Sequence, residues 1–268
     1  YVAIPIRHRS CKEYSTAWIR DIQDNGSYLD NDRRFDLLPY DRLILKVGQK
    51  QLQNQSFVQL LIDEIAGYTD VKKLVIAGGE PFLQNNLIDI LSRLGHSNVE
   101  IYTGLGVNPT RLNKILKELP KSVTLVVSAE NIHNYYEFNR YGNTYSNFIK
   151  NLEIIDTLGI TKRFNSVISN LTIFGFTDFL NSFGSDNIYI QPCSDPAYLS
   201  LNVLDTASKN KILNTDYKQF SNTIHSLVTD SVDIELKLKC HSYIKEFAKR
   251  RNLSLNIFPD TFLGWLNG

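Results

Sequence analysis

The chain has 268 residues, of which 43% are hydrophobic and 21% are charged, and its formal net charge at pH 7 is +1. Such a composition is typical of a globular protein that buries a full core, either as one α/β domain or as a domain with an appendage. The small net charge gives no electrostatic case for nucleic acid or for an anionic membrane surface. No apolar run is long enough to span a membrane, and the first residues lack the pattern of a signal peptide.

The three cysteines, Cys11, Cys193 and Cys240, are widely separated in the sequence. An odd number without regular spacing favours a reducing compartment over a disulfide framework, so we expect a cytoplasmic protein. The chain also contains no methionine and begins at Tyr1. We therefore expect the full-length protein to carry residues that this sequence lacks.

Short apolar runs alternate with helical periodicity from residue 43 onward, whereas residues 1–42 show no clear period. We therefore expect an irregular amino-terminal extension over residues 1–42. The apolar runs are rich in β-branched residues, which is typical of parallel strands buried on both faces. The predicted strands are Leu43–Val47, Leu74–Ala77, Val99–Thr103, Val123–Ser128, Lys162–Ile168 and Asn187–Gln191.

Helices are predicted between these strands and after the last one. Pro109 and Pro120 bracket a helix at Thr110–Leu119, and Gly159 follows a helix at Thr144–Leu158. Further helices are predicted at Asp216–Val228 and Val232–Arg251. This order predicts an α/β fold, built as a partial (β/α)6 barrel over residues 43–192 with a helical extension over 193–268; an open, doubly wound sheet is the alternative.

Gly78-Gly79-Glu80-Pro81 follows the predicted strand Leu74–Ala77 directly. The two glycines have no Cβ atom, so a ligand can approach the backbone there, and the proline ends the hydrogen-bond ladder. Ligands of parallel β/α folds bind at the carboxyl ends of the strands. The sequence therefore predicts a binding site at this turn. An ordinary strand-to-helix turn is the alternative, although it does not account for the whole string.

Two further segments follow later strands: Ser128-Ala129-Glu130 and Pro196-Ala197-Tyr198-Leu199-Ser200. Together with Gly78-Gly79-Glu80-Pro81 they resemble the radical S-adenosylmethionine superfamily, in particular members with a short twitch-type carboxyl extension. The resemblance extends from Leu43 to Gly268 and implies S-adenosylmethionine as the cofactor, bound at the strand ends. The predicted cofactor-binding residues are Gly78, Gly79, Glu80, Pro81, Thr103, Ser128, Glu130 and Asn165.

Three of these residues have structural alternatives. For Glu80 the alternative to a cofactor contact is a helix-capping carboxylate. The resemblance implies that Ser128 and Glu130 lie beside the ribose of the cofactor, and the alternative for both is a helix cap. Glu130 is one methylene longer than the aspartate of the family. Arg140 is expected to brace a helix rather than to line the site.

The chain departs from the family at the iron-binding motif. Family members carry Cys-x3-Cys-x2-Cys after the first strand, and its three thiolates hold a 4Fe–4S cluster. Residues 48–54, after the predicted strand Leu43–Val47, contain no cysteine, and glutamine and lysine do not replace thiolates on iron. No metal ligands are therefore predicted within the chain.

Two explanations for this departure stay open. In the first, the full-length protein carries a cluster loop between Val47 and Ser56 that this sequence lacks, and the resemblance then implies a 4Fe–4S cluster and radical hydrogen abstraction. In the second, the loop was lost and the barrel is a non-catalytic scaffold or interaction protein. The substrate and any protein partner are not indicated. An unrelated barrel enzyme acting on a phosphorylated small molecule is a weaker alternative, since no phosphate loop is visible.

Overall fold

The computed structural model describes residues 2–5, 59, 62–63, 73–77, 80–95, 98–120, 122–229 and 233–268. These residues form an α/β fold that divides into two compact units. The first unit comprises Tyr1–Ser128 and Ser146–Arg163, and the second comprises Ala129–Tyr145 and Phe164–Gly268. The strands are β1 (Val2–Pro5), β2 (Leu74–Ala77), β3 (Val99–Thr103), β4 (Val123–Ser128), β5 (Thr161–Ile168) and β6 (Ile188–Pro192).

The described helices follow the strands along the chain. They are α1 (Leu87–Leu94), α2 (Pro109–Glu118), α3 (His133–Asn139), α4 (Tyr145–Thr157), α5 (Phe176–Phe183), α6 (Thr206–Leu213), α7 (Ser221–Ser226), α8 (Ile234–Arg250) and α9 (Asp260–Asn267). No described helix is long and apolar enough to cross a membrane.

Four parallel strands form the sheet of the first unit. Strands β1 to β4 lie side by side in chain order, with Val2 opposite Leu74, Leu74 opposite Val99, and Val99 opposite Val123. Leu74 and Leu125 have no exposed surface, as expected for a sheet covered on both faces. The shared direction brings the carboxyl ends of these strands to one edge, and the loops that follow β2 and β3 meet there.

Local signals explain where the helices of this unit begin and end. The Asn108 side chain accepts a hydrogen bond from the backbone N–H of Thr110 at 2.9 Å, and Pro109 occupies the first turn of α2. Helix α1 ends at Gly95, whose φ of 59° lies in the left-handed region that glycine adopts without strain.

The second unit contains a pair of parallel strands and most of the helices. Phe164 of β5 lies opposite Ile188 of β6, and Ile168 lies opposite Pro192. The helices pack around an aromatic core. In this core the rings of Phe138 and Phe258 meet edge to face, with their centroids 5.0 Å apart. Asp233 caps α8 by accepting a hydrogen bond from the N–H of Leu236 at 3.0 Å.

The α/β class and the parallel alternation of strands and helices are confirmed. Strands β2, β3 and β4 have the predicted bounds, and β5 and β6 differ from their predictions by one residue at their ends. The predicted helix Asp216–Val228 is interrupted: a 3-10 turn at Lys218–Phe220 precedes the short helix α7. Lys218 has a φ of 55°, which an α-helix does not accommodate.

The segment predicted to be irregular, residues 1–42, contains a strand. The predicted strand Leu43–Val47 lies outside the described residues. Strand β1, Val2–Pro5, falls within the segment predicted to be irregular, and it pairs in parallel with β2. A run of four residues that ends in proline is too short to show a period, so its pairing with β2 is what identifies it as a strand.

Candidate functional site

Glu80 is the centre of a polar network at the carboxyl edge of the first unit. It follows β2, begins the 3-10 turn Pro81–Leu83, and exposes 5% of its surface. Pro81 in the first turn fixes the backbone and has no N–H to satisfy. The carboxylate is thereby held beneath the loop that follows β3.

Four donors converge on the Glu80 carboxylate. The Thr103 hydroxyl donates to Oε1 at 2.7 Å, and the N–H of Phe82 donates to the same oxygen at 3.4 Å. The backbone N–H groups of Gly104 and Gly106 donate to Oε2 at 3.0 and 3.4 Å. This set satisfies both oxygens of an ionised carboxylate without any cation.

Burial raises the pKa of the Glu80 carboxyl above its ordinary value of 4.5. The hydrogen bonds from Thr103, Phe82, Gly106 and Gly104 act in the opposite direction, because they stabilise the charged form. Burial is the larger of the two effects.

The loop after β3 has the backbone geometry of an anion-binding nest. Leu105 has a φ of 54°, although leucine rarely adopts the left-handed region, and its side chain is buried. The turn at Leu105 directs the N–H groups of Gly104 and Gly106 to the same carboxylate oxygen. Successive N–H groups arranged in this way form a concavity that binds anions. Here the protein's own Glu80 fills that concavity.

Asn151 holds the other side of the same loop. It lies on α4, has no exposed surface, and donates through Nδ2 to the carbonyl oxygens of Leu105 and Val107, each at 2.9 Å. Its Oδ1 has no hydrogen-bond partner among the described residues. The two accepting carbonyls fix the orientation of the amide, because a reversed amide would place its oxygen against both of them.

Arg111 braces the 3-10 turn from α2. Its Nε donates to the Phe82 carbonyl at 2.9 Å, and its NH2 group donates to the Asn85 side chain at 3.0 Å. The turn and the loop are thus fixed to neighbouring helices of the same unit.

These contacts determine which chemistry the loop offers to a ligand. The N–H groups of Gly104 and Gly106 are bound by Glu80, and the N–H of Leu105 donates to the Thr103 hydroxyl at 2.9 Å. Within the described part of the chain, no group donates to the carbonyl of Gly104 or of Gly106, and both glycines are half-exposed. The loop is therefore an acceptor surface and lacks the free N–H groups that a phosphate requires.

A second carboxylate network lies in the second unit. Glu130 exposes 4% of its surface and receives the Arg140 guanidinium on both oxygens, at 2.5 Å from NH2 and 3.2 Å from Nε. The N–H of Val167 also donates to Glu130, at 3.4 Å. The bracing role expected for Arg140 agrees with this bidentate pair.

The structure brings together Glu80, Pro81 and Thr103 of the predicted cofactor-binding residues. Gly78 and Gly79 lie outside the described residues. Ser128 is the last residue of β4 and Asn165 lies within β5, and both are half-exposed. Sequence reasoning did not single out Asn151 as a functional residue. The available signal was a polar residue on the buried stripe that Phe148, Leu152 and Ile155 form on α4.

The described residues contain no group of three or more His, Cys, Asp or Glu side chains that could hold a metal ion. Cys193 is half-buried and Cys240 is buried, and both are free thiols. Burial raises the pKa of the Cys240 thiol to about 12, and the Asn170 amide donates to its sulfur at 3.1 Å. Such a thiol is neutral at physiological pH.

Comparison with known proteins gives a family match over slightly less than half of the chain. Residues 51–179 match the model of the Radical SAM superfamily. The GTP 3',8-cyclase of Helicobacter pylori (strain HPAG1) is 31% identical over 96 residues, which are 36% of this chain and 24% of that protein. This chain therefore spans about a quarter of the length of that relative. These findings support a radical SAM domain at residues 51–179.

Solved structures show weaker likeness. Native anSMEcpe with bound AdoMet has a TM-score of 0.46 at 11% identity, covering 60% of this chain and 50% of that one. Streptococcus suis SuiB bound to its precursor peptide SuiA has a TM-score of 0.41 at 15% identity, covering 91% and 60%. Likeness at this level adds nothing to the family match.

Proposed function

We propose that this chain binds S-adenosylmethionine at the carboxyl ends of β2 and β3, as a radical SAM-type protein. The observation that carries the proposal is the family match over residues 51–179, which includes Glu80, the loop after β3 and Asn151. These residues form one connected network at the edge where parallel β/α folds bind ligands.

The chemistry of the loop agrees with this ligand class. S-adenosylmethionine carries an ammonium group and an adenine amino group, both hydrogen-bond donors, and it has no phosphate. The N–H groups of this loop are already bound within the protein, and its carbonyls are the groups that it offers. Such a loop favours a ligand that donates hydrogen bonds over a phosphorylated one. The alternative of a barrel enzyme acting on a phosphorylated molecule is disfavoured at this loop for the same reason.

The iron–sulfur cluster of the family does not fit the residues present. Strand β1, Val2–Pro5, pairs in parallel with β2, and we therefore propose that the cluster motif corresponds to the segment that begins at Ile6. That segment contains Cys11, but Ser15 and Trp18 stand at the other two positions of Cys-x3-Cys-x2-Cys. One thiolate in place of three does not hold a 4Fe–4S cluster, so we derive no radical step for this chain.

Titration calorimetry with S-adenosylmethionine and with S-adenosylhomocysteine tests the proposed binding. We expect a single site in the wild-type protein and a loss of affinity of about tenfold or more in Glu80→Gln. Glu100→Gln is the matched control, since Glu100 is a buried carboxylate on β3 that pairs with Arg163 at 2.7 Å. No binding to the folded wild-type protein would refute the proposal.

Anaerobic reconstitution with iron and sulfide tests the assignment of the cluster position. The sequence as it stands is expected to bind no cluster, by visible absorbance and by iron analysis. A stoichiometric cluster that disappears in Cys11→Ala would overturn this expectation and would establish the radical version of the function, because Cys11 would then supply a ligand.

A non-catalytic scaffold or interaction protein is the second candidate function. The positions of Ser15 and Trp18 favour it over radical catalysis. The two candidates differ in ligand binding, since a purely structural relative has no need of S-adenosylmethionine affinity.

We also propose that residues 193–268, which contain helices α6 to α9, are a twitch-type extension. The reaction of GTP 3',8-cyclase is not assigned to this chain.

A further inference from the structure

We infer that the loop after β3 selects the amino group of the ligand, and that Asn151 is the positioning residue that makes this selection possible. This inference rests on the proposed function, because the ligand that carries the amino group is the one proposed above. It adds a specific recognition element and a residue on α4 that sets its geometry.

Glu80 and Asn151 hold opposite groups of the same short loop. Glu80 accepts from the N–H groups of Gly104 and Gly106, whereas Asn151 donates to the carbonyls of Leu105 and Val107. The protein's own side chains therefore bind the N–H groups of Gly104 and Gly106 and the C=O groups of Leu105 and Val107. The carbonyls of Gly104 and Gly106 are left, within the described residues, for a donor from outside.

The chemistry of Asn151 is specific to this task. A planar amide places two N–H donors at a fixed angle, and here each reaches a different carbonyl at 2.9 Å. An aspartate has the same shape but only acceptors, so it would repel both carbonyls. The left-handed conformation of Leu105 is uncommon for leucine and persists only where the surroundings determine it, which these two side chains do from both sides.

The resulting surface discriminates between ligands by hydrogen-bond polarity. Two neighbouring carbonyls, at glycines that have no side chain to cover them, accept from an ammonium or an aromatic amino group. They repel a carboxylate or a phosphate. The loop accordingly contributes affinity only for ligands that present an amine to it.

The test measures coupling between Asn151 and the ligand amine. Calorimetry compares S-adenosylhomocysteine with two analogues: S-inosylhomocysteine, which lacks the adenine amino group, and S-adenosyl-4-thiobutyrate, which lacks the α-amino group. In Asn151→Asp we expect S-adenosylhomocysteine to bind about tenfold more weakly, while the analogue that lacks the recognised amine loses no more than about twofold. The identity of that analogue shows which amine the loop holds.

Asn170→Asp is the matched control. Asn170 is equally buried, and its Nδ2 donates to the Tyr198 carbonyl at 3.0 Å and to Cys240, all within the second unit. We expect it to lose stability as Asn151→Asp does and to keep its affinity for S-adenosylhomocysteine. If Asn151→Asp weakens all three ligands by the same factor, or weakens none, the inference is overturned although the proposed function stands. Wild-type protein that binds none of the three refutes both.

Hydrogen exchange in the wild-type protein keeps the inference testable if Asn151→Asp fails to fold. The amides of Gly104 and Gly106 are expected to be protected before any ligand is added, because Glu80 already accepts from them. Added S-adenosylhomocysteine should leave this protection nearly unchanged. Unprotected amides that become protected only on binding would show that the ligand takes N–H groups, and would overturn the acceptor assignment.

Discussion

Two carboxylates that follow parallel strands are stabilised in opposite ways. Glu80 follows β2 in the first unit and is surrounded by neutral donors, three of them backbone N–H groups. Glu130 follows β4, lies in the second unit, and is paired with the Arg140 guanidinium. The same residue type at equivalent points of a β/α repeat thus organises a loop in one unit and braces a helix in the other.

The sequence around each carboxylate explains the difference. Gly104 and Gly106 flank the left-handed Leu105, so the backbone curls around Glu80 and supplies N–H groups to it. No glycine stands between Glu130 and Arg140, and Arg140, the residue that caps the end of α3, instead brings a guanidinium to the carboxylate. A loop held by backbone groups can present its remaining carbonyls to a ligand, whereas a salt bridge mainly fixes the helix.

The largest effect is expected from replacing each carboxylate with its amide. Glu80→Gln should lower the free energy of unfolding by about 3 kcal/mol, because in either orientation the new amide N–H group faces a backbone N–H, that of Phe82 or those of Gly104 and Gly106, which is then left without an acceptor. Glu130→Gln should cost about 1 kcal/mol, since its remaining oxygen still accepts from Arg140. Urea denaturation of both variants measures the contrast, and equal losses would remove the distinction between the two sites.

Arg140→Met tests the cation-dependent site and is expected to cost about 2 kcal/mol, because Glu130 is then left buried without its cation. Arg140 is partly exposed, so the loss should be smaller in high salt, which screens the pair in the wild-type protein. Denaturation at low and high salt measures this effect. The effect of Glu80→Gln should not depend on salt.

The double variant Glu130→Met with Arg140→Met is the control for this prediction. Replacing both members of the pair with apolar side chains of similar size should recover most of the stability lost in Arg140→Met. A double variant as unstable as the single one would indicate that packing around the two side chains, rather than an unpaired charge, causes the loss.

Much of the fold was predictable from sequence because the buried parallel strands are short, apolar and bounded by turn residues. Strands β2, β3 and β4 carry this signal in full. Strand β1 does not, since its four residues become a strand through pairing with β2, a contact between segments more than seventy positions apart that periodicity does not report. The predicted strand Leu43–Val47, after which the cluster segment was expected, lies outside the described residues and stays a prediction.

The candidate site was predictable only in part, for a related reason. Gly-Gly-Glu-Pro predicted a ligand-binding turn, which stays a prediction, and among the described residues Glu80 is at the centre of a hydrogen-bond network. What the sequence did not show is that the glycines at 104 and 106 serve Glu80 itself, or that Asn151 reaches back to their loop across more than forty positions. Side-chain partners so distant in sequence depend on tertiary packing.

A smaller effect is expected from Thr103→Val, which keeps the shape of the side chain but removes its hydroxyl. The change deletes the shortest hydrogen bond to Glu80 and the acceptor of the Leu105 N–H, so the free energy of unfolding should fall by about 1 kcal/mol. Thr103→Ser retains the hydroxyl and serves as the control in the same denaturation experiment. A serine variant as unstable as the valine variant would assign the loss to the methyl group instead.

The smallest effect is a dependence of stability on pH that belongs to Glu80. Burial raises the pKa of its carboxyl, so the folded state holds the proton more tightly than the unfolded state does. The resulting stabilisation is complete below the pKa of the unfolded carboxyl and is lost as the pH rises through the folded-state pKa. Relative to Glu80→Gln, the wild-type protein should therefore gain stability as the pH falls from about 7 to about 4. Urea denaturation of both proteins across this range measures the difference in their free energies of unfolding.

In the Thr103→Val background the gain in stability should extend to higher pH, because the hydrogen bond from Thr103, which lowers the pKa of Glu80, is gone. A difference that narrows on acidification would mean that the four donors, rather than burial, dominate the titration of Glu80.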